Sequence, residues 1–180
     1  SRLDGQVLAA SVPITGGRIT TVGDAEVPER LTITVPEWDH GVSWVPDSPT
    51  HPLARYGQTL EVQIEVTAPT SREVTLTRLG FFRIDSWDFD DNGTVQVTAF
   101  GALYRCAEAR FRSPEVPRAG GTFATEFRRL MVPGVPVYID PALTDRPIPK
   151  SFVWETDRLA ALYEIAGAWP ARIRTDQWGV

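Results

Sequence analysis

Residues 79–101, LGFFRIDSWDFDDNGTVQVTAFG, decide the fold class of this chain. Two runs rich in Phe, Ile, Trp, Val and Thr flank Asp90-Asp91-Asn92-Gly93. Asn-Gly between such runs is the strongest short-range hairpin signal, because a tight β-turn needs residues that accept positive φ. The first strand of this hairpin is out of step with itself. Val74, Leu76, Phe82 and Ile84 share one phase of a two-residue period, whereas Leu79, Phe81, Trp87 and Phe89 occupy the other. Either both faces are covered or a bulge near Gly80 switches them. Val95, Val97 and Ala99 supply the returning strand.

Upstream, the same two-residue period recurs. Leu60, Val62, Ile64 and Val66 share one face, while Glu61, Gln63 and Glu65 share the other, so one side meets a core and the other is expected to be wet. On that expectation, reversing the charges of Glu61 and Glu65 leaves folding intact. Leu31, Ile33 and Val35 alternate with Thr32 and Thr34 as a half-buried strand, and residues 6–12 and 18–22 read as a first hairpin around Pro13 and Gly16-Gly17. Residues 36–52 carry Pro36, Pro46, Pro49 and Pro52 among Trp38 and Trp44. Each Pro removes a ladder donor, so this stretch reads as a long surface loop. Three uses are open to its two Trp: folding back to cap the end of a barrel, contact with another subunit, or a sugar-stacking platform.

After Gly101 the period changes. Leu103, Cys106, Ala107 and Arg110 fit a short helix, with Cys106 as a packed thiol, and Pro114 and Pro117 stop it. Thr122 caps a second helix whose apolar stripe is Phe123, Phe127, Leu130 and Met131, with Glu126 early and Arg128 and Arg129 late. Residues 132–150, with Pro133, Pro136, Pro141, Pro147 and Pro149, read as an extended connector with a short strand at 137–139. Thr156 caps a third helix bearing Leu159, Leu162, Tyr163 and Ala166, which Gly167 and Pro170 end, and residues 171–175 open a further strand. The chain begins Ser1-Arg2 and ends in a turn-like Asp176-Gln177-Trp178-Gly179-Val180, so it reads as a fragment.

The bulk numbers set limits. A chain of 180 residues with 42% hydrophobic and 23% charged content is an ordinary globular composition. A net charge of −5 gives no support to a broad electrostatic grip on nucleic acid or an anionic membrane. One Cys and two His exclude an intramolecular disulfide framework and a zinc site of several thiolates. No metal and no cofactor are expected. No apolar run approaches the ~20 residues that span a bilayer.

The chain carries no complete catalytic signature. Asp88, Asp90, Asn92 and Gly93 match the opening of a calcium loop, but its twelfth position falls on Ala99, so the acids read as turn formers. Pairs such as Glu37 with Asp39, or Asp85 with Asp88, are too common to mark a glycosidase. No G-x-S-x-G elbow, G-x-G-x-x-G or Walker A sequence occurs, and His40 and His51 both fall in the Pro-rich loop. Arg105, Arg110, Arg112 and Arg118 read as a solvated or interface face. The expectation is a protein that is not an enzyme.

The order of features carries a resemblance. A Pro-rich loop leads into HPLARYGQTLEVQIEV, then LGFFRIDSWDFDDNGTVQVTAFGALYRCAEARF, a capped helix, a connector, and WETDRLAALYEIAGAWPARIRTDQWG. Together these resemble the hub proteins of phage tails, in particular the minor tail proteins of long-tailed phages of actinobacteria. The shared elements are a strand that follows a Tyr-Gly turn, a G-x-F-x-I strand with its D-N-G hairpin and following helix, and an L-x-x-I-A-x-A helix followed by a strand and D-x-x-G.

The resemblance implies a mainly β fold with short helices. Residues 1–105 would form an antiparallel β-barrel similar to the tail-tube fold, residues 106–150 a lateral helical and extended segment, and residues 151–180 the start of a second, truncated barrel. It implies a homotrimeric hub ring at the tip of the virion's tail, beneath the tail tube, forming a channel for genome delivery. Its partners would be a distal tail or tail-tube protein, the tape measure protein and other tail-tip (baseplate) proteins, with DNA passing transiently. Trp38, Trp44, Arg110 and Arg112 are candidate interface residues, and Glu61 and Glu65 a candidate lumen or seam face. Two other functions fit the residues: a carbohydrate- or receptor-binding β module using Trp38 and Trp44, and a cell-wall hydrolase.

Overall fold

The computed structural model describes residues 1–23, 25, 27–67 and 74–178. The chain divides into two compact units, Ser1–Gly101 and Ala102–Val180. With 35% of the described residues in strands and 14% in helices, it is mainly β.

The first unit is an antiparallel sheet. Strand β1 (Arg2–Leu3) turns through Asp4 and Gly5, both at positive φ, into β2 (Gln6–Val7). Strand β3 (Gly16–Thr21) pairs with β4 (Glu29–Pro36), and a separate two-stranded ribbon joins β5 (Trp38–Asp39) to β6 (Val42–Ser43). Strands β7 (Thr59–Thr67), β8 (Val74–Asp90) and β9 (Thr94–Phe100) complete a seven-stranded sheet of order β2-β1-β7-β8-β9-β4-β3. Leu31, Ile33 and Val35 of β4 face Ala99, Val97 and Val95 of β9, which makes one wall of the core.

The expected barrel does not close among the described residues. Strands β2 and β3 each pair on one side only. Residues 8–15 link these two edges, and Pro13 among them cannot donate to a ladder. Val12 packs against the core instead. The expected hairpin between residues 6–12 and 18–22 is likewise absent, because Asp4-Gly5 turns the chain earlier and β3 takes β4 as its partner.

The hairpin of residues 79–101 forms, and its phase change resolves into two bulges. On the β7 side Val62 pairs with Gly80 and Gln63 with Arg78, leaving Leu79 as the extra residue. On the β9 side Ile84 pairs with Ala99 and Ser86 with Thr98, leaving Asp85 extra. The second bulge keeps a single apolar face. Ile84, Trp87 and Phe89 stand opposite Ala99, Val97 and Val95, although Ile84 and Trp87 are three residues apart in sequence. The turn follows the sequence reading. Asp90 accepts hydrogen bonds from the N–H groups of Asn92 (3.0 Å) and Thr94 (3.1 Å) and from the Thr94 hydroxyl (2.9 Å), while Gly93 takes φ +74°. The Thr94 bonds, its side chain's first, hold the Asp90 carboxyl below its ordinary range.

The second unit is built from α1 (Tyr104–Glu108), α2 (Phe123–Leu130) and α3 (Arg158–Ala168) with extended segments between them. Thr122 caps α2 as expected, exchanging hydrogen bonds with Thr125. The cap of α3 is Asp157 rather than Thr156, because Asp157 reaches the Ala160 N–H (2.9 Å) while the Thr156 carbonyl accepts from Phe111 (2.9 Å). Cys106 is fully buried with its Sγ 3.3 Å from Met131 Sδ, and burial pushes its thiol up, as a packed cysteine requires.

Residues 106–150 and 151–178, expected as a connector and the start of another barrel, lie in this one unit. The backbones of Glu115 and Trp154 exchange hydrogen bonds of 2.7 and 2.8 Å, and Phe123 and Ile148 donate to Arg146 and Gly121 (both 3.1 Å). The strands expected at 137–139 and 171–175 form no β-ladder among the described residues. Gly179 and Val180, on which the final turn depends, lie outside the described residues.

Gly80 sits at φ +154°, and a Cβ there would stand 3.3 Å from the Phe82 ring. Gly80→Ala should therefore destabilise the first unit by about 1–3 kcal/mol. Gly167 is helical and exposed, and a Cβ on it would meet no atom within 4 Å, so Gly167→Ala should stabilise the second unit by about 0.5–1 kcal/mol. Denaturant unfolding of both variants checks the pair; equal effects of one sign would contradict it.

Candidate assembly surface

Beyond Val62 and Gly80, β7 and β8 run on as a two-stranded arm past the buried core. In its register Ile64 pairs with Thr77 and Val66 with Thr75, whereas Glu65 pairs with Leu76 and Thr67 with Val74. Opposed residues share a face, so Ile64 and Val66 lie on one side of the arm and Leu76 and Val74 on the other. None of them is covered. Ile64 is 47% exposed, Val66 55%, Val74 52% and Leu76 60%. An isolated two-stranded ribbon is marginally stable in water, and one with aliphatic side chains on both faces invites burial against another surface.

The root of the arm is fixed electrostatically. Arg78 Nη2 lies 2.6 Å from Glu61 Oε1 and Arg2 Nη2 2.9 Å from Glu61 Oε2, while Gln63 Nε2 donates to the same carboxylate at 2.7 Å. Arg78 also lies over the Phe81 ring, 5.2 Å from its centroid. Glu61 is thus held by two arginines and a glutamine, with 12% of its side chain exposed. Reversing its charge would set a cation beside Arg2 and Arg78. Glu65 does lie exposed on the arm.

The two Trp of the Pro-rich stretch part company. His40 and Gly41, at φ +47° and +80°, turn β5 into β6. Trp38 is left 60% exposed, while Trp44 packs against the core and meets His51 edge-on with centroids 6.2 Å apart. The two indoles therefore form no shared platform. The stretch is tied down by Gln58, a fully buried residue whose Nε2 donates to the carbonyls of Pro49 (2.7 Å) and His51 (3.1 Å). His51 Nδ1 accepts from the Leu53 N–H (3.1 Å), which fixes its ring within the loop.

In the second unit Arg110 and Arg112 are exposed and make no ion pair among the described residues. Arg105 instead donates to the carbonyls of Pro133 (3.0 Å) and Gly134 (3.4 Å). Two polar clusters that the sequence reading missed lie inside this unit. Glu126, only 2% exposed, binds Arg129 (2.8 Å), which also reaches Glu115 (2.7 Å). Arg158 donates to the carbonyls of Ala109 and Leu130 (both 2.6 Å) and lies over the Phe111 ring. Their signals were weak: Glu126 and Arg129 are three apart on a helix, but the other contacts join residues distant in sequence. Among the described residues no three His, Cys, Asp or Glu side chains gather as a metal site would need, and no helix is long and apolar enough to cross a membrane.

Partial burial pushes the Glu61 carboxyl up, but the bonds from Gln63 and Arg78 with the charges of Arg78 and Arg2 outweigh it and hold the group below its ordinary 4.5. A depressed folded value means that the carboxylate stabilises the unit above that ordinary value and loses its contribution as pH falls through the lowered one. Glu61→Gln should therefore be less stable than the parent chain at neutral pH and converge with it as acidification passes the lowered value. Denaturant midpoints measured at stepped pH check this, and parallel curves would contradict it. Comparisons of the chain with protein-family models, curated proteins and solved structures find no match.

Proposed function

We propose that this chain is a structural component of a phage tail tip, a subunit of a homotrimeric hub ring that adapts the tail tube and surrounds the path of the genome. The reading starts from the order of sequence features that resembles minor tail proteins. The observation that best supports it is the arm of β7 and β8, whose aliphatic side chains are exposed on both faces. A ring subunit buries such an arm between neighbours, with Glu65 at the seam and Trp38, Arg110 and Arg112 as further contacts. Tail-tube, tape measure and other tail-tip proteins are the partners this role requires. The net charge of −5 suits a channel that DNA must pass without sticking. Its role is mechanical rather than catalytic.

The carbohydrate-binding alternative has less support, since Trp44 is committed to the core and Trp38 alone remains available. Light scattering decides between the readings. The chain should assemble to three times its 20.0 kDa mass, and a Val66→Glu, Leu76→Glu double variant should return it to a monomer whose first unit still unfolds cooperatively. A persistent monomer, or a trimer that ignores both substitutions, would overturn the proposal.

A further inference from the structure

The second unit contains a groove of about 580 Å³ bordered by two extended segments, residues 135–140 and 171–176. Its floor is apolar, with Leu103, Phe127, Met131 and Trp169. Both borders alternate like strands. Val135, Val137 and Ile139 are half-buried while Pro136, Tyr138 and Asp140 are exposed; Ala171, Ile173 and Thr175 are half-buried while Arg172, Arg174 and Asp176 are exposed. Yet the main-chain N–H and C=O groups of residues 137–139 and 172–174 bond to nothing among the described residues. A native chain pairs nearly all such groups when they are buried, and half-buried segments with strand periodicity and no ladder are open templates for one.

We propose that this groove binds an extended segment of a partner polypeptide by strand addition, with apolar residues at alternate positions and Asp or Glu at those between. The apolar residues would enter the floor beside Val137 and Ile173, and the segment's main chain would pair with residues 172–174. Charge favours acidic residues opposite 172 and 174, while Asp140 and Asp176 border the groove at its margins. Arg172 and Arg174 stand two apart on the outer row of their segment and make no ion pair among the described residues, so cross-strand carboxylates would face them. A small apolar ligand could fill the floor but would leave those main-chain groups unpaired. This inference does not depend on the ring reading.

Amide hydrogen exchange of the chain tests it, with two capped peptides of about seven residues as probes, one alternating Val and Asp and one alternating Val and Lys. In the chain alone, the amides of 137–139 and 172–174 should exchange quickly. The Val/Asp peptide should slow exchange at 172–174 by about tenfold or more, the Val/Lys peptide should not, and an Arg172→Glu, Arg174→Glu variant should reverse that preference. Slow exchange without peptide, no protection by the acidic peptide, or equal protection by both would overturn the proposal. Protection that rises with protein concentration and needs no peptide would also overturn it, by showing that a second copy occupies the groove.

Discussion

A two-residue period cannot be kept along 17 residues of β8 by this sequence, and the way the strand breaks that period organises the first unit. Were Asp85 paired in register, Trp87 and Phe89 would turn to the outer face and Ser86 and Asp88 would face Val97 and Val95. Burying Asp88 unpaired would cost far more than one irregular rung. The extra residue at Asp85 avoids this and lets Ile84, Trp87 and Phe89 line up against β9. The extra residue at Leu79 serves the other partner. It changes the pairing of β8 with β7 just where both strands leave the core, and Gly80 supplies the backbone angle that the change needs.

The second unit solves a different problem with different means. It has little ladder to hold it, so its extended segments are stapled by side chains that reach across sequence. Arg158 joins the carbonyls at the ends of α1 and α2, and Arg129 joins Glu126 to Glu115. A guanidinium suits such work because its fixed fork can serve two acceptors at once while its flat face rests on a ring, as Arg158 does on Phe111. Around these staples Leu159, Leu162 and Ile165 bury one side of α3.

What the sequence disclosed follows from the range over which each force acts. Local periodicity placed β4, β7, β8 and β9 and the apolar stripes of α2 and α3, since those patterns are written within a few residues. The Asp4-Gly5 turn carried a signal of the same kind, a short polar residue before Gly, whereas His40-Gly41 carried only the Gly. The open sheet could not be read, because closure depends on whether β2 and β3 meet, not on any local pattern. Glu61 alternates like a wet residue, but Arg2 lies 59 positions away in sequence and Arg78 17. Gln58 gave no hint of its burial; its amide is the right size and polarity to satisfy two carbonyls of a Pro-rich stretch, a match that only three dimensions display.

Both units also leave strand-type surface open, though in different ways. The arm of the first unit has its two strands paired with each other and its aliphatic faces bare, so what it lacks most is side-chain packing. The groove of the second has an apolar floor and half-buried flanks but main-chain groups without partners, so what it lacks is a ladder. Side-chain burial is non-directional and tolerant of sequence, which suits contacts between identical subunits repeated around an axis. Ladder pairing fixes direction and register, and with Arg172 and Arg174 beside it can discriminate among segments by charge. The two proposed contacts draw on different residues, 64–66 and 74–76 for the arm and 135–140 and 171–176 for the groove, so neither would compete with the other.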